Sequence, residues 1–216
     1  MPSINHAVIA AAGLGSRLGF GKPKALVEIA GAPLIHHQLR LLSDIPDVRV
    51  VVGFNEKAVR ECVLAVRPDA IFVRNPAFQT TTTLTSYALG AQYLEENCLF
   101  MDADIYFEPL SFLEFLDVCN PKERLIAVTE AKTTDAVFVM VKEGIVEGFS
   151  RTVNTGLEWA NVCWLPPRYC EGGVGAVYER FQEDLPIPCH VIDSYEIDTP
   201  EDLNMVEAYL AVNEPS

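Results

Sequence analysis

The chain has 216 residues, of which 50% are hydrophobic and 21% are charged, so it can bury a core of ordinary domain size. Its formal net charge is −14, and a surface of that sign would repel the backbone of a nucleic acid. No apolar run approaches the roughly 18 residues of a membrane-spanning helix, and the amino end lacks the pattern of a signal peptide. We therefore expect a cytoplasmic protein that binds neither nucleic acid nor a membrane.

In the first half of the chain, apolar strand patterns alternate with helical patterns. Strands are predicted over residues 6–11, 48–52, 70–74 and 98–101, and helices over residues 33–42, 56–66 and 84–94. This alternation indicates parallel strands joined by right-handed crossovers, as in a three-layer α/β/α sandwich.

After Pro121 the predicted strands follow one another more closely. They cover residues 125–129, 136–141, 145–149, 159–165 and 190–192, with a helix starting near residue 173. A last helix begins after Thr199, which is suited to be its N-cap, with Asp202 at the third helical position. We therefore predict one domain over residues 1–216, with a mixed, mostly parallel sheet.

A glycine-rich turn, Ala11-Ala12-Gly13-Leu14-Gly15-Ser16-Arg17, follows the first strand. Glycines allow the backbone to approach a phosphate closely, and the first 40 residues carry four bases against one acid, which suggests a small anionic ligand. A dinucleotide-binding fingerprint needs glycine where Leu18 stands, and a Walker loop ending at Lys22 needs glycine at Ser16. Both motifs are excluded.

The turn, followed by Pro23-Lys24, resembles the signature of nucleotidyltransferases that join an NTP to a phosphorylated sugar or alcohol. The strongest likeness is to the small phosphocholine-type cytidylyltransferases and their relatives acting on inositol phosphate or phosphonates. The resemblance implies a Rossmann-like nucleotidyltransferase fold, an NTP-binding half over residues 1–120 and an acceptor-binding half over residues 121–216. It also implies that Lys24 and Arg17 are the catalytic cations, and that the triphosphate is cradled by Ala11, Ala12, Gly13, Gly15 and Ser16.

Two separated acidic segments complete the resemblance. Asp102 and Asp104 end the fourth predicted strand, and Asp198 precedes the last helix. Mg²⁺ prefers such hard oxygen ligands. The family holds its metal between aspartates at these two places, which implies Asp104 and Asp198 as ligands, with Asp102 a secondary candidate. Helix capping for Asp198 and a turn role for Asp104 are the structural alternatives.

The base and acceptor sites are implied by shorter stretches. The segment from Asn75 to Ser86 resembles the base-pocket segment of the cytidylyltransferases, although threonines replace the usual asparagines, and it offers Thr82, Thr83 and Ser86 as candidates. Arg151 matches the basic residue that reaches the acceptor phosphate in relatives. Glu158 and Trp159 align with an acidic-aromatic pair there, and each of these three residues also has an ordinary surface or core interpretation.

Together these motifs predict an Mg²⁺-dependent nucleotidyltransferase that transfers CMP from CTP to a small phosphorylated or phosphonate acceptor. Its acceptor is already an anion, so positioning and charge neutralisation should supply most of the rate. A UTP- or dTTP-dependent sugar-1-phosphate enzyme, a guanylyltransferase of the molybdenum-cofactor type and a regulatory nucleotide-binding domain stay open as alternatives. The sequence leaves the choice between monomer and homodimer open.

Overall fold

The computed structural model describes residues 4–15, 21–119, 122–132 and 135–213. Within these ranges the strands are β1 (His6–Ala11), β2 (Glu28–Ile29), β3 (Ala32–Pro33), β4 (Asp47–Val52), β5 (Ile71–Arg74), β6 (Cys98–Asp102), β7 (Ile105–Phe107), β8 (Leu125–Glu130), β9 (Phe138–Lys142), β10 (Ile145–Ser150), β11 (Leu157–Leu165), β12 (Ile187–Val191) and β13 (Ser194–Glu196). The α-helices are α1 (Leu34–Leu41), α2 (Glu56–Leu64), α3 (Thr83–Gly90), α4 (Pro109–Cys119), α5 (Val177–Gln182) and α6 (Pro200–Asn213). No helix in the described part of the chain is both long enough and apolar enough to cross a membrane.

The main sheet runs through both halves of the chain in the order β5-β4-β1-β6-β11-β8-β12-β10-β9. Strand β1 pairs in parallel with β4 and β6, β4 pairs in parallel with β5, and β12 pairs in parallel with β8. Strand β11 runs antiparallel to both β6 and β8, and so joins the parallel half to the second half. The mixed sheet is confirmed, with most of its parallel pairing in the first half.

Helices cover both faces of this sheet. On one face, α1, α2 and α4 pack with alternate residues of β1, among them Ile9, and bury Phe112 and Phe115. On the other face, α3 packs against β1, including Val8, and α5 packs against β10, and these helices bury Tyr87 and Phe181. Successive residues of a strand point to opposite faces, so β1 contributes to both cores, and the predicted three-layer architecture is confirmed.

The last helix begins as predicted. The Thr199 hydroxyl accepts the backbone N–H of Asp202 at 3.3 Å, and the Asp202 carboxylate accepts the N–H of Thr199 at 2.8 Å. Helix α5 starts at Val177 rather than near residue 173 because Gly173 and Gly175 have positive φ angles, at +50° and +87°, which a helix does not allow. The sequence analysis did not predict helix α4 or the short pairing of β7 with β13.

Candidate active site

A first cavity of about 280 Å³ opens at the carboxyl ends of β1 and β6. In α/β sheets this edge is where ligands bind. Backbone and small side chains of the glycine-rich turn form one wall, and the segment leading into α3 forms the other. Among the lining residues are Ala11, Ala12, Gly13, Gly15, Thr82, Thr83 and Ser86. Ser16 and Arg17, which were also predicted to contact the nucleotide, lie outside the described residues.

Close packing of backbone shapes this first cavity. Gly15 has a φ of +61°, and a Cβ there would lie 3.1 Å from Cγ of Lys24, so the turn lies directly on the lysine. A Cβ on Gly53, at the end of β4, would lie 2.7 Å from Cβ of Phe78 and 2.8 Å from the Ala12 carbonyl oxygen. Real Cβ atoms do not approach that closely, so only glycine lets Phe78 line the cavity in this position.

Asn75 organises the segment that leads into α3. This residue is 1% exposed, and its amide donates to the hydroxyls of Thr81 and Ser86 at 2.9 and 3.3 Å. Its side-chain oxygen accepts the N–H of Ala77 at 3.0 Å. A buried amide with partners on both ends fixes the loop, so the Ser86 hydroxyl has a defined position in the cavity wall.

Two threonines connect the same segment to the second half of the molecule. The Thr82 hydroxyl donates to the Gly175 carbonyl at 2.7 Å, and the Thr85 hydroxyl donates to the Gly173 carbonyl. Gly173 and Gly175 belong to the loop before α5. The segment that leads into α3 is therefore tied to a loop from the second half of the chain.

Lys24 connects the two acidic segments. Its ammonium donates to Oδ2 of Asp104 at 2.7 Å and contacts Oδ1 of Asp198. Asp104 lies in the turn between β6 and β7, and Asp198 lies between β13 and α6, so the fold brings together three residues that are far apart in sequence. The side chains of all three are less than one quarter exposed, which weakens solvent screening of their charges.

A third carboxylate, Glu196, belongs to this cluster. Asp104, Glu196 and Asp198 each offer a carboxylate oxygen, and these oxygens lie within 4.8 Å of one another. Burial, reinforced by the charge of Asp104, raises the pKa of Glu196 to about 7. Three hard oxygen donors at this spacing suit a divalent cation such as Mg²⁺.

Asp102 has a different position. Its Oδ1 accepts the hydroxyl of the buried Tyr87 at 2.6 Å, on the α3 face of the sheet. Burial, together with the charge of Asp104, raises the pKa of Asp102 well above its usual range. Its carboxylate is not part of the group formed by Asp104, Glu196 and Asp198. The structure therefore does not support Asp102 as a metal ligand, and it supplies Glu196 in its place.

A second cavity, of about 870 Å³, lies on the other side of the cluster. It is lined by the three predicted acceptor residues Arg151, Glu158 and Trp159, and by Lys132, Glu196 and Asp198. Thr83 lines both cavities. Asp104 lines the first and Asp198 the second, so the cluster of Lys24, Asp104 and Asp198 lies between the two cavities.

The three predicted acceptor residues differ in their surroundings. Arg151 donates to the Asp135 carbonyl at 3.2 Å and forms an ion pair with its carboxylate. Glu158 and Trp159 are each 7% exposed. The Trp159 ring packs edge-on against Phe181 at 5.5 Å between centroids, while its indole N–H has no partner among the described residues.

Sequence comparison identifies the family to which this arrangement belongs. The profile of the MobA-like NTP transferase domain matches residues 7–162, which span the first cavity, Lys24, Asp104 and all three predicted acceptor residues. The chain belongs to this family. The resemblance seen in the sequence is confirmed, while Glu196 and Asp198 lie beyond the matched region.

Individual relatives add detail. The chain is 35% identical over 138 residues to a CMP-5'-(3-aminopropyl)phosphonate synthase from Streptomyces rubellomurinus, which covers 61% of this chain and 20% of that protein. The chain therefore spans about one fifth of the length of this curated relative.

Solved structures show the same fold at low identity. The CTP:phosphocholine cytidylyltransferase of Streptococcus pneumoniae has a TM-score of 0.80 at 20% identity, covering 96% of this chain and all of that one. The inositol-1-phosphate CTP transferase of T. maritima has a TM-score of 0.76 at 18% identity, covering 98% of this chain and 97% of that one. The predicted nucleotidyltransferase fold is thereby confirmed.

Within this family fold, the structure brings most of the predicted residues to two adjoining cavities. Four further residues, Gly53, Asn75, Lys132 and Glu196, were not singled out from the sequence. Glu196 is the last residue of β13 and stands two residues before Asp198, and this close spacing of two carboxylates was a usable signal. The position of Lys132 depends on tertiary packing and has no local sequence signal.

Proposed function

We propose that this protein is an Mg²⁺-dependent cytidylyltransferase, which transfers CMP from CTP to a small phosphorylated or phosphonate acceptor and releases pyrophosphate. One observation carries the proposal: two cavities meet at Lys24, Asp104 and Asp198. Membership of a family of NTP transferases supports it, as do the CTP- and CMP-dependent relatives named above.

The chemistry joins two anions, so the protein must neutralise charge. An oxygen of the acceptor attacks the α-phosphorus of CTP, a new P–O bond forms, and the bond to the β-phosphate oxygen breaks to release pyrophosphate. In this proposal the turn around Gly13 and Gly15 holds the triphosphate, and Lys24 places its ammonium at the reacting phosphate. Fixed donors and cations that stabilise developing charge are the main source of rate in such displacements.

Asp104, Glu196 and Asp198 would hold the metal ion. Their oxygens are close enough to share one cation, and the ammonium of Lys24 already lies on two of them, so the cluster attracts positive charge. Bound there, Mg²⁺ would offset the charge of the triphosphate and of the acceptor.

The charge of the second cavity favours an acceptor with a cationic end. Six acids and two bases line it, namely Asp135, Glu158, Glu196, Asp198, Glu201 and Asp202 against Lys132 and Arg151. Even with a divalent ion at the cluster, this wall stays negative. We therefore propose an aminoalkyl phosphonate or a similar zwitterion as acceptor, with Glu158 and Trp159 near its ammonium group and Arg151 at the cavity rim.

The predicted cytoplasmic location remains part of this proposal. All six cysteines are free thiols, and four of them are buried, which suits a reducing compartment.

A survey of pyrophosphate release tests the reaction. Each of CTP, UTP, dTTP, GTP and ATP is paired with 3-aminopropylphosphonate, phosphocholine, inositol 1-phosphate and glucose 1-phosphate, in Mg²⁺ and in EDTA. We expect release with CTP and an amine-bearing acceptor, abolished by EDTA and restored by Mg²⁺.

Matched controls decide between the alternatives. The Asp104→Asn variant should lose activity but keep the melting temperature of the wild type. That result would show that the activity belongs to this protein and not to a contaminating enzyme. Release with glucose 1-phosphate and UTP or dTTP, or a requirement for GTP, would replace the cytidylyltransferase proposal by a sugar or guanylyl enzyme. Nucleotide binding by thermal shift without any release would favour a regulatory domain.

A further inference from the structure

Lys132 is a half-buried cation in the wall of the second cavity. It follows β8, and its ammonium donates to the Thr129 hydroxyl at 3.0 Å and to the Glu130 carbonyl at 3.4 Å. The same ammonium lies 4.7 Å from the centre of the Tyr195 ring. These contacts with neutral groups fix the Lys132 side chain next to β13, the strand that carries Glu196.

Among the described residues that line the two cavities, the other two cations are already paired with carboxylates. Lys24 contacts two carboxylates, and Arg151 forms an ion pair with Asp135. Lys132 differs from both, because its two hydrogen bonds go to a hydroxyl and a carbonyl. A cation satisfied only by neutral oxygens keeps most of its capacity to attract an anion.

Partial burial of the Lys132 ammonium carries a desolvation cost, and the nearby carboxylates offset only part of it. Burial lowers the pKa of Lys132, against the opposing effect of Asp193, Glu158 and Glu130. The hydrogen bonds described for this ammonium go to the Thr129 hydroxyl and the Glu130 carbonyl, so an anionic ligand can still pair with it directly in the cavity wall.

We propose that Lys132 binds the anionic group of the acceptor, a phosphonate or phosphate monoester, and holds it beside the Lys24, Asp104 and Asp198 cluster. The inference rests on the proposed function for the identity of the acceptor, although anion binding at Lys132 can be measured without turnover. Arg151, tied to Asp135 and 42% exposed at its side chain, contributes less to this contact.

Calorimetric binding to the full chain tests the proposal. The probes are 3-aminopropylphosphonate, propylphosphonate, which lacks the amine, and CTP. Lys132→Gln removes the charge while an amide can still donate to Thr129, and Lys132→Arg keeps the charge. Lys142→Ala, at an exposed position at the end of β9, is the matched control.

We expect Lys132→Gln to weaken both phosphonates by about tenfold or more, the usual loss for a hydrogen bond to a charged group, and to change CTP binding less than twofold. Lys132→Arg should stay within about threefold of wild type, and Lys142→Ala should not differ from it. In turnover, the KM for the acceptor should rise while the KM for CTP stays constant.

Three results would overturn the assignment: no phosphonate binding by the wild type, unchanged binding by Lys132→Gln, or equal weakening of CTP and phosphonate, which indicates a structural role. If wild type binds phosphonate through Lys132 but releases no pyrophosphate with any NTP, the proposed function fails while the anion site stands.

Discussion

The two cavities are built in different ways. The first is small and is bounded largely by backbone, glycine and small polar side chains, with Gly15 and Gly53 in close contact with their neighbours. The second is three times as large and is lined by charged side chains from β11, β13 and α6. A backbone wall suits a ligand part that never changes, such as a triphosphate, whereas side chains on antiparallel strands can change one at a time. Under the proposed function, this difference predicts that nucleotide binding depends mainly on the backbone and acceptor choice mainly on individual side chains.

The largest expected effect comes from removing Lys24, which lines the first cavity and contacts Asp198 of the second. Lys24→Ala should lower kcat/KM by about 100-fold or more, because a charge-assisted contact in a poorly hydrated site supplies roughly 2–4 kcal/mol. Turnover is measured by pyrophosphate release, with Lys57→Ala on the exposed face of α2 as control. Activity above about one tenth of wild type would remove Lys24 from the mechanism.

A second substitution tests the close packing of the backbone around the first cavity. Gly53→Ala should destabilise the fold by about 1–3 kcal/mol, because its Cβ would collide with Phe78 and with the Ala12 carbonyl. The KM for CTP should rise with little change in the KM for the acceptor. Gly13→Ala is the control for stability, since a Cβ there meets nothing within 4 Å. Equal melting temperatures for the two variants would contradict the close packing described here.

The pH dependence of stability tests the surroundings of Glu196, which belongs to the acidic cluster between the two cavities. Its pKa is about 7 in the folded protein and is lower in the unfolded chain, so the folded state binds the proton more tightly. This contribution to stability is complete below the unfolded pKa and is lost as the pH rises through about 7. In the absence of metal, Glu196→Gln should therefore be more stable than wild type at pH 8, by roughly 3 kcal/mol, and similar at pH 4.

Thermal unfolding between pH 4 and pH 8 measures this difference, with the exposed Glu201→Gln as control. The same Glu196→Gln variant should bind Mn²⁺ more weakly in the presence of CTP. Parallel pH profiles for wild type and Glu196→Gln would show that Glu196 titrates normally and is not part of a crowded acidic cluster.

The smallest effect concerns acceptor choice. Glu158→Gln should raise the KM for 3-aminopropylphosphonate about tenfold, which is about 1.4 kcal/mol, and leave the KM for propylphosphonate unchanged. The charge of Glu158 would matter only to an acceptor that carries an amine. A similar loss with both phosphonates would place Glu158 in a structural role and weaken the case for a zwitterionic acceptor.

The sequence was most informative where function depends on local backbone. The strand His6–Ala11, the turn after it and Lys24 lie close together in the chain, so motif and structure coincide. Asp104 and Asp198 were paired through the family resemblance, and both contact the ammonium of Lys24 in the structure, while their role as metal ligands stays a prediction. Asp102, the secondary metal candidate, lines the first cavity and accepts the Tyr87 hydroxyl, but it lies outside the group of Asp104, Glu196 and Asp198, so a metal role for it stays a prediction.

What the sequence did not indicate depends on contacts between distant segments. Strands β7 and β13 are too short to show periodicity, yet their pairing across 87 or more residues presents Glu196 to Asp104. Asn75 and Gly53 act through packing and hydrogen bonds that have no local pattern. Helix α4 is different, because its buried residues Phe112, Phe115 and Cys119 have helical spacing, and that signal was present and overlooked.

The hydroxyls of Thr82 and Thr85, bonded to the carbonyls of Gly175 and Gly173, have a consequence for how this protein can evolve. They join the start of α3, which borders the first cavity, to the loop before α5, the helix whose Phe181 packs against Trp159. A substitution that enlarges one cavity is therefore expected to shift the wall of the other, so a change of acceptor specificity should also alter the affinity for the nucleotide under the proposed function.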